Sequence, residues 1–232
     1  MSVDARRRAI VLRGGWDGHD PYRATDESLA FLEQAGFACV VTDDPEIYAD
    51  PAAMASTDLV LQCVTMGTAS KEAVRGLADA VAAGTGLVGW HGGIVDSFRD
   101  PRYLHLVGGQ FVHHPPNGPA ESRAGDGTDN FVDHRIEIVA SDHPIVAGIA
   151  DFDLRTEQYW VLTDGLNDVL ATTTIAARSF DPWQNPVTCP AVWTRKWGDG
   201  RVVVVTPGHR LEDLRQAPVR TMIERGVTWA AR

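Results

Sequence analysis

The sequence predicts an α/β fold in which a doubly wound, mostly parallel sheet is flanked by helices, and three observations carry that expectation. Short β-branched runs alternate with stretches of helical spacing through the first half of the chain, the rhythm of βαβ units. The strand candidates are nearly continuous apolar runs, as strands covered on both faces should be. Glycines stand where helices have to stop.

Residues 9–13 (AIVLR) open the sheet. Residues 22–35 follow with helical spacing at Leu29, Phe31 and Leu32, and Gly36 ends them before a second strand at 37–41. A third strand is read at 58–62 (DLVLQ). An alanine-rich helix at 70–83 has Ser70 as its N-cap, Glu72 in its first turn and Gly84 at its end, and it leads to a fourth strand at 86–90 (GLVGW). A helix is expected at 94–106. Residues 115–134, rich in Pro, Gly, Asn and Asp, read as a long irregular loop of the kind that tends to be functional. Strands at 135–140, 169–176, 191–195 and 201–206 and a closing helix at 211–231 complete a single domain over 1–232. Right-handed crossovers place a ligand site beyond the carboxyl ends of the strands, so chemistry is sought there.

The formal net charge of −10 comes from 31 acidic against 21 basic residues without a long run of like charge, which argues against nucleic-acid and anionic-membrane partners. No apolar run reaches the roughly 18 to 20 residues of a membrane span, and the start lacks the apolar core of a secretion signal. Arg6, Arg7 and Arg8 read as a solvated strand edge. Cys39, Cys63 and Cys189 are odd in number and lie in apolar stretches, so they read as small buried hydrophobes instead of a disulfide framework, and a cytoplasmic location is expected. Edge strands and exposed tryptophans leave homo-oligomerisation open.

Gly89-Trp90-His91-Gly92-Gly93 follows an apolar strand and precedes the helix expected at 94–106. A strand, a sharp turn and a helix with flanking glycines form a nucleophile elbow, because the tight turn needs missing Cβ atoms to project the central side chain. Ser or Cys normally occupies that position. An imidazole there can bind a metal, act as general acid or base, or orient a ligand; the bland alternative is a glycine-rich turn with an incidental histidine. Thr206-Pro207-Gly208-His209 presents a second histidine at a strand end. With both strands near the middle of the sheet, His91 and His209 would share one crevice.

Gly14-Gly15-Trp16-Asp17-Gly18-His19, the 89–93 turn, Gly108-Gly109-Gln110-Phe111 leading to His114-Pro115, Asp142-His143-Pro144-Ile145, Thr156-Glu157-Gln158-Tyr159, 190–195 (PAVWTR) and the 198–209 segment occur in one order. In that series the chain resembles the ThuA-like, or trehalose-utilisation, family. The resemblance implies a flavodoxin-like, class I glutamine amidotransferase-like fold, with His91 where amidotransferases have cysteine. His209 is followed by Arg210-Leu211-Glu212, so the His-x-Glu partner motif is absent and glutamine hydrolysis through a thioester is not expected. What the resemblance implies for the site is His19, His91, His114, His143, Glu157 and His209, and for the role, metabolism of trehalose, a related disaccharide or a keto-sugar.

On this reading His91, His209 and Glu157 are catalytic, and Trp16, Asp17, His19, Trp90, His114, His143 and Tyr159 bind a small-molecule sugar. Each has a bland alternative: His19 bonding its loop, His143 within a turn, Glu157 as an exposed strand carboxylate. His105 and His134 match nothing and read as surface or loop histidines. Of Trp16, Trp90, Tyr159, Trp160 and Trp183, two or three are expected at the cleft, where flat rings suit sugar faces. His91, His114 and His209 could hold a divalent metal, Zn, Mn, Ni or Fe; an acid/base site without metal uses the same residues. The alternative to an enzyme is a non-catalytic sugar-binding or regulatory module with an amidotransferase-like fold.

Overall fold

The chain begins on β1 (Arg7–Gly15), in which Ala9, Ile10, Val11 and Leu12 are all fully buried. The reason is that the strand is covered on both sides. Ala9 and Val11 belong to one apolar cluster with Leu32 of α1 (Pro21–Gln34) and Val219, Met222 and Val227 of α7 (Ala217–Ala230). Ile10 and Leu12 belong to another with Val74, Leu77 and Val81 of α3 (Lys71–Ala82). A strand buried on both faces has no solvent side to carry polar residues, which is why its sequence is uninterrupted apolar. The computed structural model describes residues 6–115 and 130–232.

The remaining strands are β2 (Phe37–Thr42), β3 (Leu59–Thr65), β4 (Gly86–Trp90), β5 (Gly109–His113), β6 (Phe131–Ile138), β7 (Phe152–Glu157), β8 (Trp160–Thr163), β9 (Asp168–Ile175), β10 (Val187–Trp197) and β11 (Gly200–Val205). Short helices α2 (Pro51–Ala55), α4 (Gly92–Val95), α5 (Pro101–Val107) and α6 (Leu211–Leu214) complete the elements. Among the described residues, nine strands form one sheet in the order β2-β1-β3-β4-β11-β10-β9-β6-β7, and β5 and β8 form a separate antiparallel pair. Ser70 caps α3 by accepting the Ala73 N–H at 3.0 Å.

The expected parallel sheet is found over one half of the strand order. β2, β1, β3, β4 and β11 run parallel, whereas β10, β9, β6 and β7 pair antiparallel, so the sheet is mixed. Two expected helices are broken as well. The 94–106 segment splits into α4 and α5 because Pro101 disfavours helix at Asp100, whose carboxylate instead caps α5 by accepting the Arg102 and Tyr103 N–H groups. The 211–231 helix splits into α6 and α7, with a proline at the start of α7. Most of the 115–134 loop lies outside the described residues; its last four residues belong to β6, which includes His134. Arg7 and Arg8 are part of β1, bonded to the Ala35 carbonyl and to Ser56.

The two outermost strands matter most for the site. β6 pairs with β9 only at Glu137 and Ile138, but with β7 from Phe131–Glu157 to Ile136–Phe152. The β6–β7 ribbon is therefore attached to the sheet at one end. Its other end has no ladder pairing with β9 and carries Phe131 and Glu157 to the carboxyl ends of β4 and β11. Among the described residues no helix is long and apolar enough to cross a membrane.

Candidate functional site: a His/Glu cluster at the strand ends

His91 leaves β4 with φ 50° and ψ −144°, a conformation that costs an L-residue about 1–3 kcal/mol. Neighbouring backbone holds it there. The His91 N–H donates to the Val205 carbonyl at 2.8 Å, and the His91 carbonyl accepts from Ile94 and Val95. Glycine is required on its downstream side. A Cβ on Gly93 would lie 2.8 Å from Cys63 Cα, and one on Gly92 would lie 2.7 Å from His19 Cε1.

His19 arrives from β1 through the 3-10 turn Asp17–His19. Gly15, at φ 79°, lets that turn approach β3: a Cβ there would meet the Thr65 carbonyl, to which the Trp16 N–H donates at 2.9 Å. His19 Nδ1 then bonds Thr65 Oγ1 at 2.8 Å. His209 follows β11, Glu157 ends β7 and His114 follows β5. Five side chains from five strand ends converge.

Three imidazole nitrogens face a single carboxylate oxygen. Glu157 Oε2 lies 3.0 Å from His91 Nε2, 3.0 Å from His209 Nδ1 and 2.9 Å from His114 Nε2. His209 Nδ1 is also 3.3 Å from His91 Nε2. His91 is 1% exposed and Glu157 6%. His91 Nδ1 is 2.8 Å from the Thr206 carbonyl, which can only accept, so the neutral ring carries its hydrogen on Nδ1 and turns the Nε2 lone pair towards Glu157. The His114 Nε2 atom is buried and, despite its distance from Glu157, has no aligned hydrogen bond among the described residues.

Burial decides the charge states. It holds the His19 imidazole down to about 2, with His91 and His209 adding to the effect, and it lowers His91 against the pull of Glu157. Burial opposes ionisation of Glu157, but the imidazoles of His114 and His209 outweigh it and keep the carboxyl well below its usual range. Neutral His19 and His91 beside an ionised carboxylate are in the form that metal binding requires. The donor atoms of His19, His91, Glu157 and His209 lie within 4.8 Å of one another.

The structure brings together His19, His91, His114, Glu157 and His209, and adds two aromatic rings. Tyr159 is buried and stacks on His91 at 3.9 Å, and Trp16 sits at the rim, 46% exposed, with its ring 4.7 Å from His19 and 6.4 Å from His209. Asp17 is exposed on the turn before His19. Trp90 does not line the cluster: strand alternation turns it into the core, where it is 2% exposed among residues of α1 and α7. His143 is at the opposite pole. It follows the β6 end that is remote from Phe131, accepts the Ile145 N–H at Nδ1, and packs on Trp229 near the end of α7, a helix end that meets Gly86 at the start of β4. Trp160 and Trp183 pack edge-on against each other away from the cluster's rings. His105 lies edge-on to Trp197.

Sequence reasoning missed Thr65 and Thr206, the two groups that orient His19 and His91. Both stand at the ends of apolar strands, so the same strand-end rule that found the histidines points to them. It missed Asp96 as well, a carboxyl just past α4 that burial raises and Arg99 approaches at 3.5 Å.

Known proteins agree with this architecture. A ThuA-like protein from Parabacteroides merdae has the fold at 18% identity and TM-score 0.70, over 97% of this chain and 90% of that one. A ThuA-like protein from Bacteroides uniformis has it at 15% identity and TM-score 0.69, over 98% and 92%. A cytoplasmic protein of Salmonella typhimurium LT2 has it at 12% identity and TM-score 0.61, over 97% and 100%. No curated protein matches the sequence. The model of the ThuA family, described as trehalose utilisation, matches residues 8–230, and with nearly the whole chain so covered, this protein belongs to the ThuA family.

Proposed function

We propose that the protein is an enzyme acting on trehalose, a related disaccharide or a keto-sugar, and that its His/Glu cluster holds a divalent metal, one of Zn, Mn, Ni or Fe. The observation that carries the proposal is the facing of lone pairs. His91 Nε2, with its hydrogen committed to Nδ1, lies 3.0 Å from an ionised carboxylate oxygen in a buried setting. Two electron-rich atoms at that distance need a proton or a metal ion between them, and the imidazoles of His209 and His114 on the same oxygen favour the metal. The donor set suits a borderline metal, with imidazole nitrogens from His91 and His209, Glu157 as the carboxylate, and His19 or His114 beside them.

A bound divalent cation would supply Lewis acidity towards a sugar carbonyl or a water molecule. The chain's own groups do the rest. The Thr206 carbonyl and Thr65 hydroxyl fix the His91 and His19 rings, Tyr159 shields one face of His91 from water, and Trp16 offers an exposed ring for the apolar face of a sugar. Thiol chemistry has no support at the elbow: Cys63 lies beneath it, fully buried, with its thiol pushed up to about 12.

The test is elemental analysis of protein equilibrated with each metal, together with an assay of 3-keto-disaccharide cleavage, on wild type and His91→Ala. Stoichiometric metal and turnover, both lost in the variant, support the proposal. Binding of unmodified trehalose without chemical change over hours would mark a non-catalytic sugar-binding or regulatory module instead. A metal-free protein with His91→Ala identical to wild type in every property would sink both.

A further inference from the structure

We infer that Asp213 is a positioning residue of the cluster, the clamp that registers the Glu157 ribbon against the His209 loop. The inference rests on the cluster being the functional site. Its starting point is a mechanical problem in the fold. Glu157 sits at the end of a ribbon whose pairing with the sheet is confined to Glu137 and Ile138, the far end of β6. Ladder hydrogen bonds alone therefore do not fix where its carboxylate goes.

Asp213 supplies the missing tie. Its Oδ2 accepts the Thr156 hydroxyl at 2.6 Å and the Arg210 backbone N–H at 3.0 Å. Thr156 immediately precedes Glu157, and Arg210 immediately follows His209. One carboxylate oxygen thus joins the neighbours of two cluster residues that are 52 positions apart in sequence. Both ends are dry: Thr156 is fully buried and Asp213 is 3% exposed. Helix capping does not account for this. An acidic residue at the third position of α6 needs only the Arg210 N–H, whereas the bond to Thr156 crosses to another element.

The neighbouring contacts give each residue of the 156–159 motif a separate task. Thr156 is held by Asp213, Glu157 faces the imidazoles, Gln158 donates to Thr173 Oγ1 and the Thr174 carbonyl, and Tyr159 stacks on His91. Gln158 secures the ribbon to β9 on one side. Asp213 secures it to the His209 loop on the other, so its loss would let Glu157 and His209 drift apart without releasing the sheet.

The experiment compares wild type, Asp213→Ala, Thr156→Val and Asp213→Asn. Imidazole nitrogen resonances are recorded in the metal-free proteins, and Co2+ affinity and visible absorption are measured on the same samples. The His91 and His209 resonances should shift in Asp213→Ala and Thr156→Val, while those of His105 and His143 stay in place. Co2+ binding should weaken about 10–100-fold in both, the range typical of groups that orient metal ligands. Asp213→Asn, which still offers an oxygen to both donors, should restore both readouts. Unchanged His91 and His209 resonances in both disrupting variants would overturn the inference, as would equal shifts at His105 and His143, the mark of a purely structural residue. Wild type that binds no Co2+ would overturn the metal reading alone, because the resonances decide the clamp without it.

Discussion

Lowering the pH from 7 to 5 should destabilise the metal-free protein by about 2 kcal/mol through His19 alone. Burial holds that imidazole down to about 2 in the folded chain, against 6.5 for the unperturbed group. Between those values the unfolded chain binds a proton that the folded chain refuses. Stability is therefore complete above the unfolded value and falls as the pH falls, by about 1.4 kcal/mol per unit once well below it. His91 is displaced in the same direction by the same cause and adds with the same sign. Glu157 is depressed too, but its share begins to be lost only as the pH drops through the ordinary carboxylate value of 4.5. The assay is urea unfolding followed by tryptophan fluorescence at pH 7, 6 and 5, with chelator present so that no bound metal stabilises the native state. Wild type is compared with His19→Gln, which removes the titrating group and keeps a polar side chain near Thr65. Wild type should lose about 2 kcal/mol more than the variant over this interval. Parallel losses in the two proteins would show that burial does not keep His19 neutral, and with that the charge states assigned to the cluster would fail.

Glu157→Gln keeps the shape of the side chain and removes its charge, so metal binding measured by titration calorimetry should weaken by at least about 100-fold, the upper end of what orienting groups alone cost. Gly92→Ala places a methyl 2.7 Å from His19 Cε1 and 2.9 Å from Thr65 Cγ2, closer than real contacts allow. Its unfolding midpoint should report a loss of about 1–3 kcal/mol, with the His19 imidazole resonance displaced. Trp16→Ala should leave stability within about 0.5 kcal/mol, since the ring is 46% exposed, while sugar binding weakens in calorimetry.

The parallel half of the fold was legible for one physical reason: strands covered on both faces are nearly continuous apolar runs, as 9–13, 58–62 and 86–90 show. β7 was not legible. Its sequence, FDLRTE, lacks the continuous apolar run of the buried strands and alternates only over its first four residues, because its place at the sheet's edge leaves Asp153 and Arg155 in solvent. β5 and β8 went unseen because each is short and they pair only with one another. At the site, strand-end reasoning found His91 and His209, since a residue just past an apolar parallel strand must lie at the carboxyl pole. His143 came from the family resemblance, and it lies at the other pole because it follows an antiparallel strand. Trp90, expected at the cleft beside His91, is one residue off, which on a pleated strand is the difference between facing the site and facing the core. Thr206 was passed over because its backbone carbonyl, and not its side chain, holds His91.

Taken by themselves, the side chains of the cluster work against the fold. His91 occupies a strained backbone conformation, two imidazoles are kept neutral at the expense of pH stability, and a carboxylate is kept ionised away from water. Glycine at position 91 would relax the turn, and an apolar residue at 157 would remove the buried charge. Neither substitution disturbs the strands that build the core, whose apolar residues on both faces provide the stability. Unfavourable features gathered at one pole, where five chain segments must meet to place five polar groups, serve no structural end that simpler residues could not serve better. The strain at His91 is intelligible as the cost of aiming its Nε2 at Glu157, and the binding of a cation there would turn the same arrangement from a loss into a gain.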